Sequence, residues 1–134
     1  GVSGTTVAVE HLNFTQIKGV DGLNAELAKA KAAGKTVMLD FYADWCVSCK
    51  EYEKLTFNNT KIKEHLAAYT LLQVDVTQNK AEHTALLKHF NLYGPPAILF
   101  FDKQHNEERT FRIVGYKNAS QMLQHLKTLE HENQ

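Results

Sequence analysis

The two cysteines of the chain, Cys46 and Cys49, stand in Trp45-Cys46-Val47-Ser48-Cys49-Lys50. Thiols at this spacing close a small disulfide ring or reopen as a dithiol, so the pair can take up and release two electrons. The residues before it matter as much. Thr36-Val37-Met38-Leu39-Asp40-Phe41-Tyr42 reads as a buried β-strand, and Ala43-Asp44-Trp45 as a short turn. Beyond Cys49, an apolar pattern reaching Leu55 suits a helix. A C-x-x-C pair at a strand-to-helix junction is a redox signal. The first cysteine falls at the helix N-terminus, where unpaired N–H groups and the helix dipole favour the nucleophilic thiolate. The second lies one turn inside, within reach of the first.

Two other readings of the pair are weaker. A structural zinc site needs four ligands, and there is no second cysteine pair. The seven histidines, at 11, 65, 83, 89, 105, 125 and 131, show no H-x-x-x-H spacing. A static disulfide would close so small a ring that it removes little chain entropy. The expected chemistry is therefore exchange. Cys46 attacks a partner disulfide as thiolate, and Cys49 resolves the mixed disulfide. Cys46 is expected to be the exposed sulfur and Cys49 the shielded one.

Asp40 is the next candidate. It shares a strand face with Met38 and Tyr42. A carboxylate in so apolar a strand costs several kcal/mol if ionised and unpaired. Either hydrogen bonds satisfy it, or it serves as a proton acceptor beneath the cysteines, since Cys49 must lose a proton before it attacks. Trp45, directly before the nucleophile, is expected to shield the site. Asp44 suits a turn residue or a helix cap, and Lys50 and Glu51 suit solvent.

Positioning these groups requires a scaffold of alternating elements. His11 to Lys18 suggests a short first strand. Asp21 is a plausible N-cap for a helix carrying Leu23, Leu27 and Ala30, which Gly34 would end. After the strand at 36–42, a helix from about Cys46 carries Tyr52 and Leu55 and stops near Phe57. Asn59 or Thr60 can cap a further helical stretch through Ile62, Leu66 and Tyr69. Residues 71–76 read as a strand, and Asn79-x-x-Glu82 resembles a capping box before Leu86, Leu87 and Phe90. The Asn91 to Pro96 segment breaks that helix. A strand at 97–102, a turn at 103–108 and an edge strand at 109–114 follow. Asn118 or Ser120 starts a last helix with Met122, Leu123, Leu126 and Leu129 on one face. The order implies an α/β fold: a mixed sheet with parallel pairing in the middle, an antiparallel hairpin at 97–114, and helices on both faces.

The bulk properties fit that class. A chain of 134 residues, 43% hydrophobic and 22% charged, suits one soluble domain with its own core. Fifteen basic residues balance fifteen acidic ones, so no basic field points to nucleic acid. The longest apolar run, Ala97 to Phe101, is far too short to span a bilayer. Residues 1–10 read as a flexible arm or linker without signal-peptide character, 11–130 as the domain, and 131–134 as a tail. Two cysteines alone do not reveal the compartment.

The order of elements, Trp45-Cys46-x-x-Cys49-Lys50, Asp40 and Gly94-Pro95-Pro96 together resemble the thioredoxin family. The stretch from Val37 to Glu53, with its acidic flanks, is similar more specifically to the C-terminal periplasmic domains of the DsbD family of thiol:disulfide interchange proteins. Asn13 to Lys18, Leu86 to Phe90 and Ile98 to Asp102 extend the likeness, which covers roughly residues 12 to 128. The resemblance implies a thioredoxin fold and a disulfide reductase; the sequence carries no flavin, haem or nucleotide motif, and the Cys46–Cys49 dithiol suffices as the redox group, with no cofactor or metal expected. It implies that Asp40 accepts the Cys49 proton and that Glu53 stands beside the active site with it. Two carboxylates there would oppose the helix dipole, raise the Cys46 thiol pKa and favour a reductant over an oxidant. It implies a cis-proline at Pro96 facing the cysteines. Pro95 departs from the pattern, because it has no N–H to offer an extended partner segment. The implied setting is a monomeric domain on the periplasmic side of the bacterial inner membrane. It would receive electrons from a membrane-embedded domain of the same protein and reduce that protein's N-terminal periplasmic domain. The rival readings are a free-standing thioredoxin-like reductase, a dithiol metal-binding module, and an interaction domain whose cysteines are structural.

Overall fold

In a computed structural model, the described residues are 12–133. The arm expected at 1–10 and His11 of the first strand lie outside them. The central strand is β2 (Val37–Tyr42), and all six of its residues are buried. It lies between β3 (Thr70–Asp75) and β4 (Ala97–Phe101) in a five-stranded sheet whose order is β1-β3-β2-β4-β5. β1 (Thr15–Gln16) and β3 run parallel to β2, whereas β4 is antiparallel to β2, and β5 (Ile113–Val114) is antiparallel to β4. The continuous apolar runs of β2 and β4 are what a strand covered on both faces requires.

Two cores form, one on each face. Val37, Leu39 and Phe41 of β2 pack against α1 (Val20–Ala32) and α4 (Ala81–His89) through Leu23, Leu27, Leu86 and Leu87. Met38 of β2 packs on the other face, with Ile62 and Leu66 of α3 (Thr60–Leu66) and Met122, Leu126 and Leu129 of α5 (Ala119–Glu132). This is the α/β sandwich, a mixed sheet with helices on both faces, expected from the order of elements. α5 reaches Glu132, inside the segment read as a tail.

Local chemistry shifts several boundaries. Helix α1 starts at Val20 with Gly19 as its N-cap, so Asp21 is not the cap but a first-turn acid facing the positive helix end. Gly34 does terminate the helix, in the left-handed region at φ 68°, with its N–H on the Lys31 carbonyl. The α4 cap falls at Lys80 rather than Asn79, because Asn79 turns left-handed at φ 50° and the Lys80 N–H donates to His83 Nδ1. Asn59 caps α3 by accepting the N–H groups of Lys61 and Ile62, and Asn118 with Gln121 forms a capping box on α5. The expected edge strand at 109–114 shrinks to β5, since Arg109–Phe111 closes a 3-10 turn.

The largest departure lies in the active-site helix. α2 (Val47–Glu51) passes into a π-helical turn at Tyr52–Thr56, closed by the Phe57 N–H on the Tyr52 carbonyl. The wider turn changes which side chains face inward. Tyr52, Thr56 and Phe57 are buried, whereas Leu55, expected on the inner face, is 61% exposed. The Tyr52 hydroxyl donates to the Gly115 carbonyl at 2.7 Å and accepts the Lys117 N–H at 3.0 Å. Thr56 donates to the Lys117 carbonyl at 2.8 Å. The helix that carries the cysteines is thereby tied to the segment that follows β5, the strand at the far edge of the sheet. Tyr52→Phe leaves two half-buried backbone groups, the Gly115 carbonyl and the Lys117 N–H, without that partner and should destabilise the oxidised protein by about 1 kcal/mol. Denaturant unfolding measures this, and an unchanged midpoint would show that water replaces the hydroxyl.

Candidate active site

Cys46 occupies the N-cap of α2 in an extended conformation, φ −95° and ψ 107°. Its N–H closes a turn on the Ala43 carbonyl, and its carbonyl accepts the Lys50 N–H. Its sulfur accepts the Cys49 N–H at 3.1 Å and is joined to Cys49 in a disulfide with the Cα atoms 5.2 Å apart. One N-terminal backbone donor of the helix, the Cys49 N–H, thus points at the leading sulfur. The expected contrast in exposure is small in this oxidised pair: Cys46 is 7% exposed and Cys49 3%. What separates the two sulfurs is their surroundings. Cys49 lines an internal cleft and lies 3.9 Å from the Phe41 carbonyl, whereas Cys46 does not line that cleft.

The cleft has a volume of about 650 Å³, and its lining includes Asp40, Cys49, Glu53 and Gln73. Asp40 is 4% exposed. Its carboxylate accepts the Gln73 side-chain N–H at 2.8 Å. Burial pushes the Asp40 carboxyl up from 3.8 to about 7; the Gln73 hydrogen bond offsets part of that rise, and the charge of Glu53 adds to it. Strand β2 sets this placement. Alternation turns Asp40 away from Leu39 and Phe41, toward the Met38 face, where Tyr52 packs and where the cleft shared with Cys49 and Glu53 opens.

Glu53 projects into the cleft mouth from the π-helical turn, with its side chain 53% exposed. Lys50, assigned to solvent from sequence, instead stands among three site residues. Its ammonium is hydrogen-bonded to the Tyr42 hydroxyl, 3.6 Å from Asp44 and 3.8 Å from Glu53. Asp44 is not the helix cap, because Cys46 takes that place; Asp44 accepts the Tyr42 hydroxyl at 2.8 Å. Trp45 remains 55% exposed, and its indole N–H donates to the Thr77 carbonyl at 3.0 Å. The Thr77 hydroxyl accepts the Asp44 N–H at 2.9 Å and Asp75 anchors Thr77 in turn, so the loop after β3 holds the Ala43-Asp44-Trp45 turn in place.

The Pro95–Pro96 peptide is cis. Both prolines are half-buried, and the Pro96 carbonyl accepts the Gly115 N–H at 3.2 Å. Exposed apolar side chains stand nearby in sequence or register: Val47 beside Cys46, Tyr93 before the proline loop, and Val114 opposite Ala97. Among the described residues, no group of three or more His, Cys, Asp and Glu side chains forms a metal-ligating cluster.

Cys46, Cys49, Asp40 and Glu53, chosen from sequence, thus converge on one site. Sequence reasoning missed Gln73, Lys50 and Thr77. The signals were faint: a single amide in the apolar run Leu71-Leu72-Gln73-Val74, a lysine one turn after the leading cysteine, and a threonine after a strand.

A family model described as a thioredoxin-like domain matches residues 23–130. The chain is 55% identical over 119 residues to the thiol:disulfide interchange protein DsbD of Yersinia pestis, covering 89% of this chain and 20% of that protein. Against DsbD of Escherichia coli K12 it is 51% identical over 127 residues, covering 95% and 22%. It therefore spans about a fifth of the length of these curated relatives. The crystal structure of the oxidised DsbD C-terminal domain of Neisseria meningitidis superposes with a TM-score of 0.72 at 30% identity, over 90% of this chain and all of that one.

The Asp40 environment has a measurable consequence. Between 3.8 and about 7, folded Asp40 keeps a proton that the unfolded chain has released. Stability therefore falls as pH rises through that window, by up to about 4 kcal/mol. Asp40→Asn should remove this slope, leaving the oxidised variant similar to the parent at the acid end and more stable at the neutral end. Denaturant unfolding across the range checks it, and parallel stability–pH curves for the two proteins would show that the carboxyl is solvated.

Proposed function

This chain belongs to the thioredoxin-like family, and within it to the C-terminal domains of DsbD thiol:disulfide interchange proteins; from that membership and the site geometry we propose that it is a protein-disulfide reductase domain working through Cys46 and Cys49. The observation that carries the reading is the disulfide at the N-terminus of α2 with a buried carboxyl group lining the same cleft as its second sulfur.

In the reduced state Cys46, as thiolate, attacks one sulfur of a partner disulfide. An S–S bond forms between Cys46 and the partner, and the partner's other sulfur leaves as a thiolate and takes a proton. Cys49 then gives its thiol proton to Asp40 and attacks the Cys46 sulfur. The mixed disulfide breaks, the partner leaves fully reduced, and Cys46–Cys49 is oxidised. Two electrons have passed to the partner. A carboxyl group held near neutrality suits both halves of the proton's passage: it accepts the proton when Cys49 attacks and releases it afterwards.

Two opposed influences act on Cys46. The helix N-terminus and the Cys49 N–H favour its thiolate, an effect of about 0.3–1 kcal/mol for the dipole alone. Asp40 and Glu53 disfavour it when ionised, as does the low exposure of the site. Val47 and Ser48, between the cysteines, add no positive charge. The dithiol form is then a strong donor, each ~1.4 kcal/mol corresponding to about 30 mV. Trp45, Pro95 and Pro96 would form the partner-binding rim, with Trp45 as its aromatic shield. Pro95 supplies a carbonyl but no N–H, so a bound extended segment would gain one backbone bond there, not two.

The one-fifth coverage of the DsbD relatives favours a domain in a relay over a free-standing reductase. Electrons would reach Cys46–Cys49 from a membrane-embedded domain of the same protein and pass to its N-terminal periplasmic domain, on the periplasmic side of the inner membrane. The dithiol itself is the redox group, and no further cofactor is invoked.

Alkylation of the reduced protein should modify Cys46 before Cys49, and Cys49→Ser should accumulate the Cys46 mixed disulfide, visible by mass spectrometry. Cys46→Ser should abolish electron delivery; retained delivery would overturn the mechanism. Asp40→Asn should slow exchange at neutral pH by about 10²-fold, the lower end of general-base contributions. Asp40→Asn with Glu53→Gln should lower the Cys46 thiol pKa, read from the pH dependence of alkylation, and an unchanged value would show that the carboxylates do not tune the couple.

A further inference from the structure

Three strands place three polar side chains in line. In the sheet register Gln16 of β1 stands opposite Gln73 of β3, and Gln73 stands opposite Asp40 of β2. All three line the cleft that also holds Cys49. The contacts run in one direction: Gln16 Nε2 donates to Gln73 Oε1 at 2.6 Å, and Gln73 Nε2 donates to Asp40 Oδ2 at 2.8 Å. Gln73 is the only hydrogen-bond donor to the Asp40 side chain among the described residues.

We propose that Gln73, held in orientation by Gln16, is a positioning residue that aims an N–H at the Asp40 carboxylate and selects its ionised form. This rests on the reading of Asp40 as the proton acceptor for Cys49. A primary amide presents an acceptor at one end and donors at the other. Facing Asp40 with its oxygen, Gln73 would accept a bond from the protonated acid and hold the proton in place. Facing it with nitrogen, it binds the carboxylate. Gln16 occupies the Gln73 oxygen, so the nitrogen is the end left for Asp40. A chain of aligned amides also polarises each member, strengthening the inner bond.

The other groups around Asp40 cannot do this. Glu53 bears the same charge and works against ionisation. Lys54, on the same π-helical turn, lines the cleft without bonding to Asp40, and Tyr42 directs its hydroxyl to Asp44. Tyr52, buried on the same face, spends its hydroxyl on Gly115 and Lys117. Cys49 is the proton donor itself. Without the amide, an acid this deeply buried would stay protonated at neutral pH and be a poor acceptor. The ladder keeps it titratable where exchange takes place.

The test is the titration of the Asp40 carboxyl carbon by NMR in oxidised protein, compared among parent, Gln73→Met and Gln16→Met. Methionine keeps the length and removes the amide. Gln73→Met should raise the Asp40 midpoint by about one pH unit, a tenfold fall in the ionised-to-protonated ratio at a given pH. Gln16→Met should raise it by less, because Gln73 is then free to turn over. Gln16 is exposed on an edge strand, so that variant keeps the test intact should Gln73→Met fail to fold. An unchanged midpoint in Gln73→Met overturns the positioning role, and an unchanged midpoint in Gln16→Met overturns the orienting role. The pH profile of mixed-disulfide resolution separates the two levels. A shifted Asp40 midpoint with an unshifted profile would leave the ladder standing and sink the proton-acceptor reading.

Discussion

The structure is organised around a carboxyl group in the one place a protein avoids ionising, the middle strand of a sheet covered on both faces. Asp40 has Leu39 and Phe41 as chain neighbours and Gln73 and Ile98 as its register partners. A buried carboxylate without hydrogen bonds would destabilise the fold by several kcal/mol. One amide from β3 and the cleft at its side reduce that penalty without removing it. Because β2 is central, Asp40 cannot be shifted toward solvent without dismantling both cores. The carboxyl group is therefore fixed in space, and the cysteine helix is built over it.

That helix is short and is held from outside. Five residues of α-helix pass into a π-helical turn, too little for the segment to be stable alone. Tyr52 and Thr56 bind the backbone after β5, Phe57 stacks against Tyr52 with ring centroids 5.1 Å apart, and Trp45 and Asp44 are bound to Thr77. Anchors at both ends hold the Cys46 sulfur at the helix N-terminus. The π-turn also decides where Glu53 stands, at the cleft mouth beside the site. The exposed pairs from Lys50 to Asp44 and Glu53 contribute little to stability, and their interest lies in the local field.

The parts of this arrangement legible in sequence were those encoded locally. The buried strand, the turn, the helix carrying C-x-x-C and the caps at Asn59 and Asn118 each announce themselves within a few residues. Asp40 was visible because a charge interrupts an apolar run. What stayed hidden depends on register or on a non-α turn. Gln73 becomes meaningful only when β3 is slid against β2 until it meets Asp40, and strand periodicity does not fix that alignment between distant segments. A constant period of about 3.6 residues puts Leu55 on the inner face, and the wide turn at Tyr52–Thr56 breaks that period and turns Leu55 outward. Lys50 looked solvated because its partners, Tyr42 and Asp44, lie across the strand–helix turn. Asp21 and Asn79 looked like caps because their residue types suit capping; backbone geometry placed the caps at Gly19 and Lys80.

Electron transfer by thiols is also proton transfer, and the fold separates the two paths. In the proposed exchange the electron pair moves through sulfur at the helix N-terminus, beside the exposed Trp45 and Val47. The proton of Cys49 has a different neighbourhood, the cleft on the inner side of the helix, where Asp40 and Glu53 stand. The partner's sulfur and the Cys49 proton therefore need not compete for the same space. An acid proposed to receive that proton has to lie below the disulfide, out of the partner's way, which means inside the sheet. Burial then drives its affinity for the proton up, toward a value at which it would never let go. A donor on the next strand is the simplest correction, because it acts on the carboxylate without adding a charge to the site. A cation in its place would also stabilise the Cys46 thiolate and turn the couple toward oxidation. A neutral amide at Gln73 acts on the acid without adding a charge that would stabilise the Cys46 thiolate.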